Sequence, residues 1–153
     1  MGKSRFEPVT LLASTSFTVA ETANSTSVRL LEGINASPGA PGCRAIAFVL
    51  DVTDADTNAS DTFDVSVQTK LDGTNWLDVV HFTQILGNGS DTLRFVAKVV
   101  ADLATAEFEI ATALGAAAVR NLLGLEWRVK TVLVDGGGAG SPKFDISVVA
   151  IPQ

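Results

Sequence analysis

The sequence predicts an all-β protein: an antiparallel β-sandwich of jelly-roll type with long loops and an extended N-terminal arm. Three observations predict it. Apolar residues recur with a period of two through a succession of short runs. Gly-, Pro-, Asn- and Asp-rich connections such as "NASPGAPG", "LGNGSD" and "DGGGAGSP" separate those runs. Two connections are long, Glu32 to Arg44 and Val100 to Leu125, which suits strands that cross between two sheets better than a meander.

The elements follow in order. Residues 1–8 read as the arm, and 9–153 as one domain, since 153 residues supply one ordinary core. Val9–Ala13, Phe17–Ala20 and Val28–Glu32 are weaker strand candidates. "RAIAFVLDVT" (Arg44–Thr53) is almost continuously apolar and reads as a central strand covered on both faces. From Thr62 the alternation is clean. Phe63, Val65, Val67, Thr69 and Leu71 share one face, and Asp64, Ser66, Gln68 and Lys70 share the other. Asp72-Gly73 then permits the positive φ of a tight turn. The returning strand, Trp76–Thr83, places Trp76, Val80 and Phe82 on one face. Leu77, Val79 and the single histidine, His81, fall on the other.

Thr92–Val100 turns Leu93, Phe95, Ala97 and Val99 inward and Arg94 and Lys98 outward. Ala106–Ile110 is a further weak strand. Ala111–Gly124 is read as a loop or a short helix, with Gly115 against the helix. Leu125–Val134 turns Leu125, Trp127 and Val129 inward, with Glu126, Arg128 and Lys130 outward. Lys143–Ile151 closes the chain with Phe144, Ile146 and Val148 inward. Both tryptophans, Trp76 and Trp127, are expected in the core.

Composition narrows the function. The net charge of −6 lacks the basic footprint of a nucleic-acid binder. No stretch approaches the roughly 20 apolar residues of a membrane span. With one histidine, one cysteine and no tyrosine, groups that titrate near neutrality are scarce, and no enzyme is expected. His81 has no nucleophile motif beside it and reads as a structural or interface residue. Cys43 reads as a small buried hydrophobe. No cofactor is implied. One metal pattern begins and then breaks: Asp54, Asp56, Asn58 and Ser60 supply oxygens at alternate positions, as a calcium loop does. Ala59 stands where the loop needs glycine and Val65 where it needs glutamate. The loop reads as a polar surface turn, with Asp54, Asp56 and Asn58 as its calcium candidates.

The stretches "VSVQTKLDGTNWLDVVHFTQILGNG", "LRFVAKV" and "VRNLLGLEWRVKTVL" resemble small acidic all-β virion proteins of tailed bacteriophages, of the capsid decoration (cement) type. The resemblance covers roughly Asp61 to Val134 and carries no catalytic motif. It implies a protein made in the host cytoplasm and carried on the capsid surface. Its partner would be the major capsid protein, and its form a homotrimer at local three-fold positions. The arm, with Lys3, Arg5 and Phe6, is the expected capsid contact. Two other readings fit the residues: a tail or head–tail connector component, or a carbohydrate-binding or adhesion module.

Overall fold

The computed structural model describes residues 7–30, 45–55, 58–87, 92–100, 107, 109, 113–124 and 126–153. Its strands are β1 (Val9–Phe17), β2 (Thr22–Asn24), β3 (Val28–Arg29), β4 (Ala45–Asp54), β5 (Thr62–Lys70), β6 (Trp76–His81), β7 (Ile85–Leu86), β8 (Leu93–Val100), β9 (Ala118–Val119), β10 (Glu126–Val134) and β11 (Phe144–Pro152). They form two antiparallel sheets. The first has the order β1-β11-β4-β8, and the second β2-β10-β5-β6-β9, with β3 on β10 and β7 on β5. The chain changes sheets from β1 to β2, β3 to β4, β4 to β5, β7 to β8, β8 to β9 and β10 to β11, while β5 and β6 form a hairpin within one sheet, which is the jelly-roll arrangement. The two long sequence connections contain two of these crossings, β3 to β4 and β8 to β9.

The core lies between the sheets and is built from the inward half of each alternation. Phe48, Leu50 and Val52 of β4 face Phe63, Val65 and Val67 of β5, all fully buried. Each such side chain contributes about 1.5–3 kcal/mol of transfer free energy. Aromatic rings anchor both ends. Phe17, Phe63 and Phe144 make a chain with centroids 5.0 and 5.1 Å apart. Phe48 packs on Trp127 at 5.2 Å. The Trp127 indole N–H donates to the Gly124 carbonyl at 2.9 Å, so burial leaves no orphan donor.

The Asp72-Gly73 turn forms as its chemistry dictates. Gly73 has φ 75°, and the Asp72 carboxylate accepts the Thr74 and Asn75 N–H groups at 2.9 and 2.7 Å. Those bonds pull the Asp72 pKa down to about 2, with the Asn75 N–H the largest contributor. Leu71, expected inward, belongs to this turn and is exposed. Two further expectations change. No helix forms within 113–124. The chain instead turns at Ala116–Ala117, where Ala117 takes φ 61° and Ala118 N–H reaches the Gly115 carbonyl at 3.2 Å. β1 continues through Ser14–Ser16, across two register shifts, instead of ending at Ala13. Ala106–Ile110 falls largely outside the described residues, as do Cys43 and residues 1–6 of the arm.

Candidate functional site

A sandwich with a closed core offers its two outer faces, its strand edges and its loops as working surfaces. The outer face of the second sheet is largely polar, and side chains cross-link its middle. Gln68 of β5 donates to Asp78 of β6 at 2.7 Å, and the Arg128 guanidinium of β10 donates to the Gln68 carbonyl oxygen at 2.8 Å. Three neighbouring strands are thus tied by side chains as well as by their ladders. Burial lowers the pKa of Arg128, and the nearby Asp78 charge opposes that fall. Ser27 and, more weakly, Lys70 hold Glu126 below the usual carboxylate range. Trp76 is half-buried on this face, with Lys70 Nζ 4.6 Å and Arg128 Cζ 4.2 Å from ring centroids. It is not a core residue. Trp127 is.

His81 lies on this same face. The β5–β6 register runs Val67↔Val80 and then Gln68↔Asp78, so Val79 is an extra residue in β6. The bulge reverses the parity of the strand. His81 therefore shares a face with Trp76 and Asp78, whereas simple alternation placed it opposite Trp76. Its Nδ1 is 2.8 Å from the Leu114 carbonyl and its Nε2 3.1 Å from Asp64. Both partners are acceptors, so the doubly protonated ring satisfies both and the neutral ring one. Gln84 caps the other Asp64 oxygen at 3.0 Å. The 113–124 loop seals the edge: Arg120 N–H donates to Val79 O at 2.7 Å, and Leu114 N–H approaches Asp78 at 3.4 Å. These groups hold one another in place, as an interface or structural histidine requires.

The outer face of the first sheet differs along its length. At one end it is charged. Arg94 pairs with Asp51, which raises the arginine pKa, and Lys143 bonds Asp54 at 2.6 Å with Asp145 at 3.4 Å. Toward the other end the ladder register sets Val149, Val49 and Val96 in one row, and Ile151, Ala47 and Lys98 in the next. Val96 is 65% exposed and Val100 36%. Beside this row, between β6 and β8, lies a cleft of about 280 Å³ bordered by Phe82, Phe95, Ala97, Lys98 and Val119.

The calcium candidates fare differently from one another. Asp54 is engaged by Lys143. Asn58 gives its backbone N–H to the fully buried Asp61 at 3.2 Å, and Asp61 also accepts Gly136 N–H at 2.9 Å. That carboxylate ties the 58–61 turn to the 135–137 connection. Asp56 lies outside the described residues, and among those described no three His, Cys, Asp or Glu side chains converge. Lys3, Arg5 and Phe6 likewise lie outside them. Sequence reading missed the apolar row, because Val49, Val96 and Val149 sit in three separate strands and only the sheet order brings them together. No family model matches the chain, and no curated protein or solved structure matches it either.

Proposed function

We propose that the chain is a non-enzymatic virion structural protein of a tailed bacteriophage, a decoration protein that seats on the outside of the head and stabilises it. The observation that carries this reading is the Val149–Val49–Val96 row, an apolar patch on a sheet face rimmed by charged residues. Such patches mark docking surfaces. Burying one stabilises by about 25 cal/mol per Å² of apolar area removed from water. A protein that binds only the intact shell raises the free energy needed to open it. The resemblance in sequence supplies the identity of the shell, with the major capsid protein as partner and a homotrimer as the attached form. The jelly-roll fold suits this role and does not by itself select it. Lys3, Arg5 and Phe6 would extend the contact across the shell.

Copy number in purified particles tests the proposal. A ratio near one to the major shell protein supports decoration. A handful of copies supports a tail or connector component, and absence from particles discards the virion reading. One observation favours the adhesion reading: Trp76 emerges on a wet face, where a sugar ring could stack. Lys70 and Arg128 already engage that ring, which weighs for the first reading. Glycan binding that Trp76→Ala abolishes would reverse the order.

A further inference from the structure

The strand edges of this sandwich are not alike. β1, at one edge of the first sheet, is broken by two register shifts. In the second sheet, β2, β3, β7 and β9 are two or three residues long. Arg120 covers part of the remaining margin of β6. Bulges, short strands and covering loops are the devices that keep edges from pairing. Among the described residues β8 has no bulge, and the 113–124 loop reaches its free edge only at the end, where the Asn121 side chain accepts the Val100 N–H at 3.4 Å. The strand is eight residues long and pairs with β4 without any shift from Ala45↔Val100 to Val52↔Leu93. Its far side has no paired strand among the described residues. Exposed Val96 and Val100 lie along it, and the 280 Å³ cleft opens beside it. An edge so regular and apolar is a template for strand addition.

The charge of β8 selects the occupant. Leu93–Val100 contains Arg94 and Lys98 and no carboxylate. Asp51 neutralises Arg94, whereas Lys98, at the rim of the cleft, has no ionic partner among the described residues. A second copy of β8 would bring two more cations and nothing to balance them. We infer that the open edge of β8 accepts an extended strand from another protein in which carboxylates alternate with apolar residues. Its backbone continues the β4–β8 ladder, one carboxylate meets Lys98, and an apolar side chain enters the cleft beside Phe95 and Ala97. This concerns the edge and not the face, and it stands whether or not the face seats on a shell.

The test uses the full chain and a seven-residue peptide of alternating valine and glutamate, followed by backbone NMR. Saturable shifts confined to β8, the cleft and the adjoining rows of β4 are expected. Lys98→Glu should weaken binding at least about tenfold, which corresponds to 1.4 kcal/mol. A valine–lysine peptide should not bind, and N-methylation of alternate peptide residues should abolish binding by removing ladder donors. Equal binding of both charge types, indifference to N-methylation, shifts elsewhere, or no binding at millimolar peptide would each overturn the inference. So would concentration-dependent self-association through β8, because it would make a second copy the occupant.

Discussion

The two outer faces are built from the same alternation and end as different surfaces. On the second sheet most outward polar groups meet another: Gln68 with Asp78 and Arg128, His81 with Asp64 and Leu114, Lys70 with Glu126. The 113–124 loop completes that face from within the chain. On the first sheet the charged end is paired in the same way, but among the described residues the Val149–Val49–Val96 row has only itself. A face finished internally stabilises the fold. A face left apolar spends little on the fold and is suited to a partner. Stability and attachment should therefore respond to different residues.

The shared core sets the largest effect. Trp127→Ala removes the fully buried ring packed on Phe48 and should cost about 3–5 kcal/mol in urea unfolding. A smaller loss would mean that the sheets are not locked together there. Next comes the polar face. Asp78→Ala leaves the Gln68 amide and the Leu114 N–H without their acceptor and should cost about 2 kcal/mol. Gly124→Ala probes how tightly the loop lies on this sheet. A Cβ there would come 2.1 Å from Thr69 Oγ1 and 2.7 Å from the Lys70 carbonyl, so a loss of about 1–3 kcal/mol is expected.

The turn at Asp72 responds to pH. Its folded pKa of about 2 lies below the ordinary 3.8, so its bonds stabilise the turn fully above 3.8. That contribution fades as pH falls through about 2. Hydrogen-exchange protection of Thr74 and Asn75, taken relative to the intrinsic rate at each pH, should fall over that range, and Asp72→Ala should remove that fall. The smallest effect belongs to the apolar face: Val96→Ser should shift stability by no more than about 0.5 kcal/mol. If Val96→Ser and Asp78→Ala cost the same, the contrast between the faces fails.

Much of the fold was legible because the inward residues alternate without interruption in β8, β10 and β11. Phe95, Trp127, Phe144 and Ile146 sit where period two puts them. The bulge at Val79 was not legible. It inserts one ordinary valine, with no glycine to mark it, and yet it moves His81 across the sheet. Trp76 was placed in the core on hydrophobicity, but its face is fixed by pairing with Lys70, which the sequence does not state. β2 is three residues of Thr, Ala and Asn and forms because β10 offers it an edge. The candidate site was legible only in pieces. Val49 was read within a strand covered on both faces, and the adjacency of the three valines depends on the order β11-β4-β8.

The central claim is that the apolar row of the first sheet is the attachment surface. The most direct measurement is cosedimentation with phage heads lacking this protein, comparing wild type, Val96→Glu and Trp76→Ala, with melting temperatures taken alongside. The account predicts that Val96→Glu loses attachment at least about tenfold while its melting temperature stays near that of wild type, and that Trp76→Ala still attaches. Full attachment of Val96→Glu, or loss confined to Trp76→Ala, would contradict it.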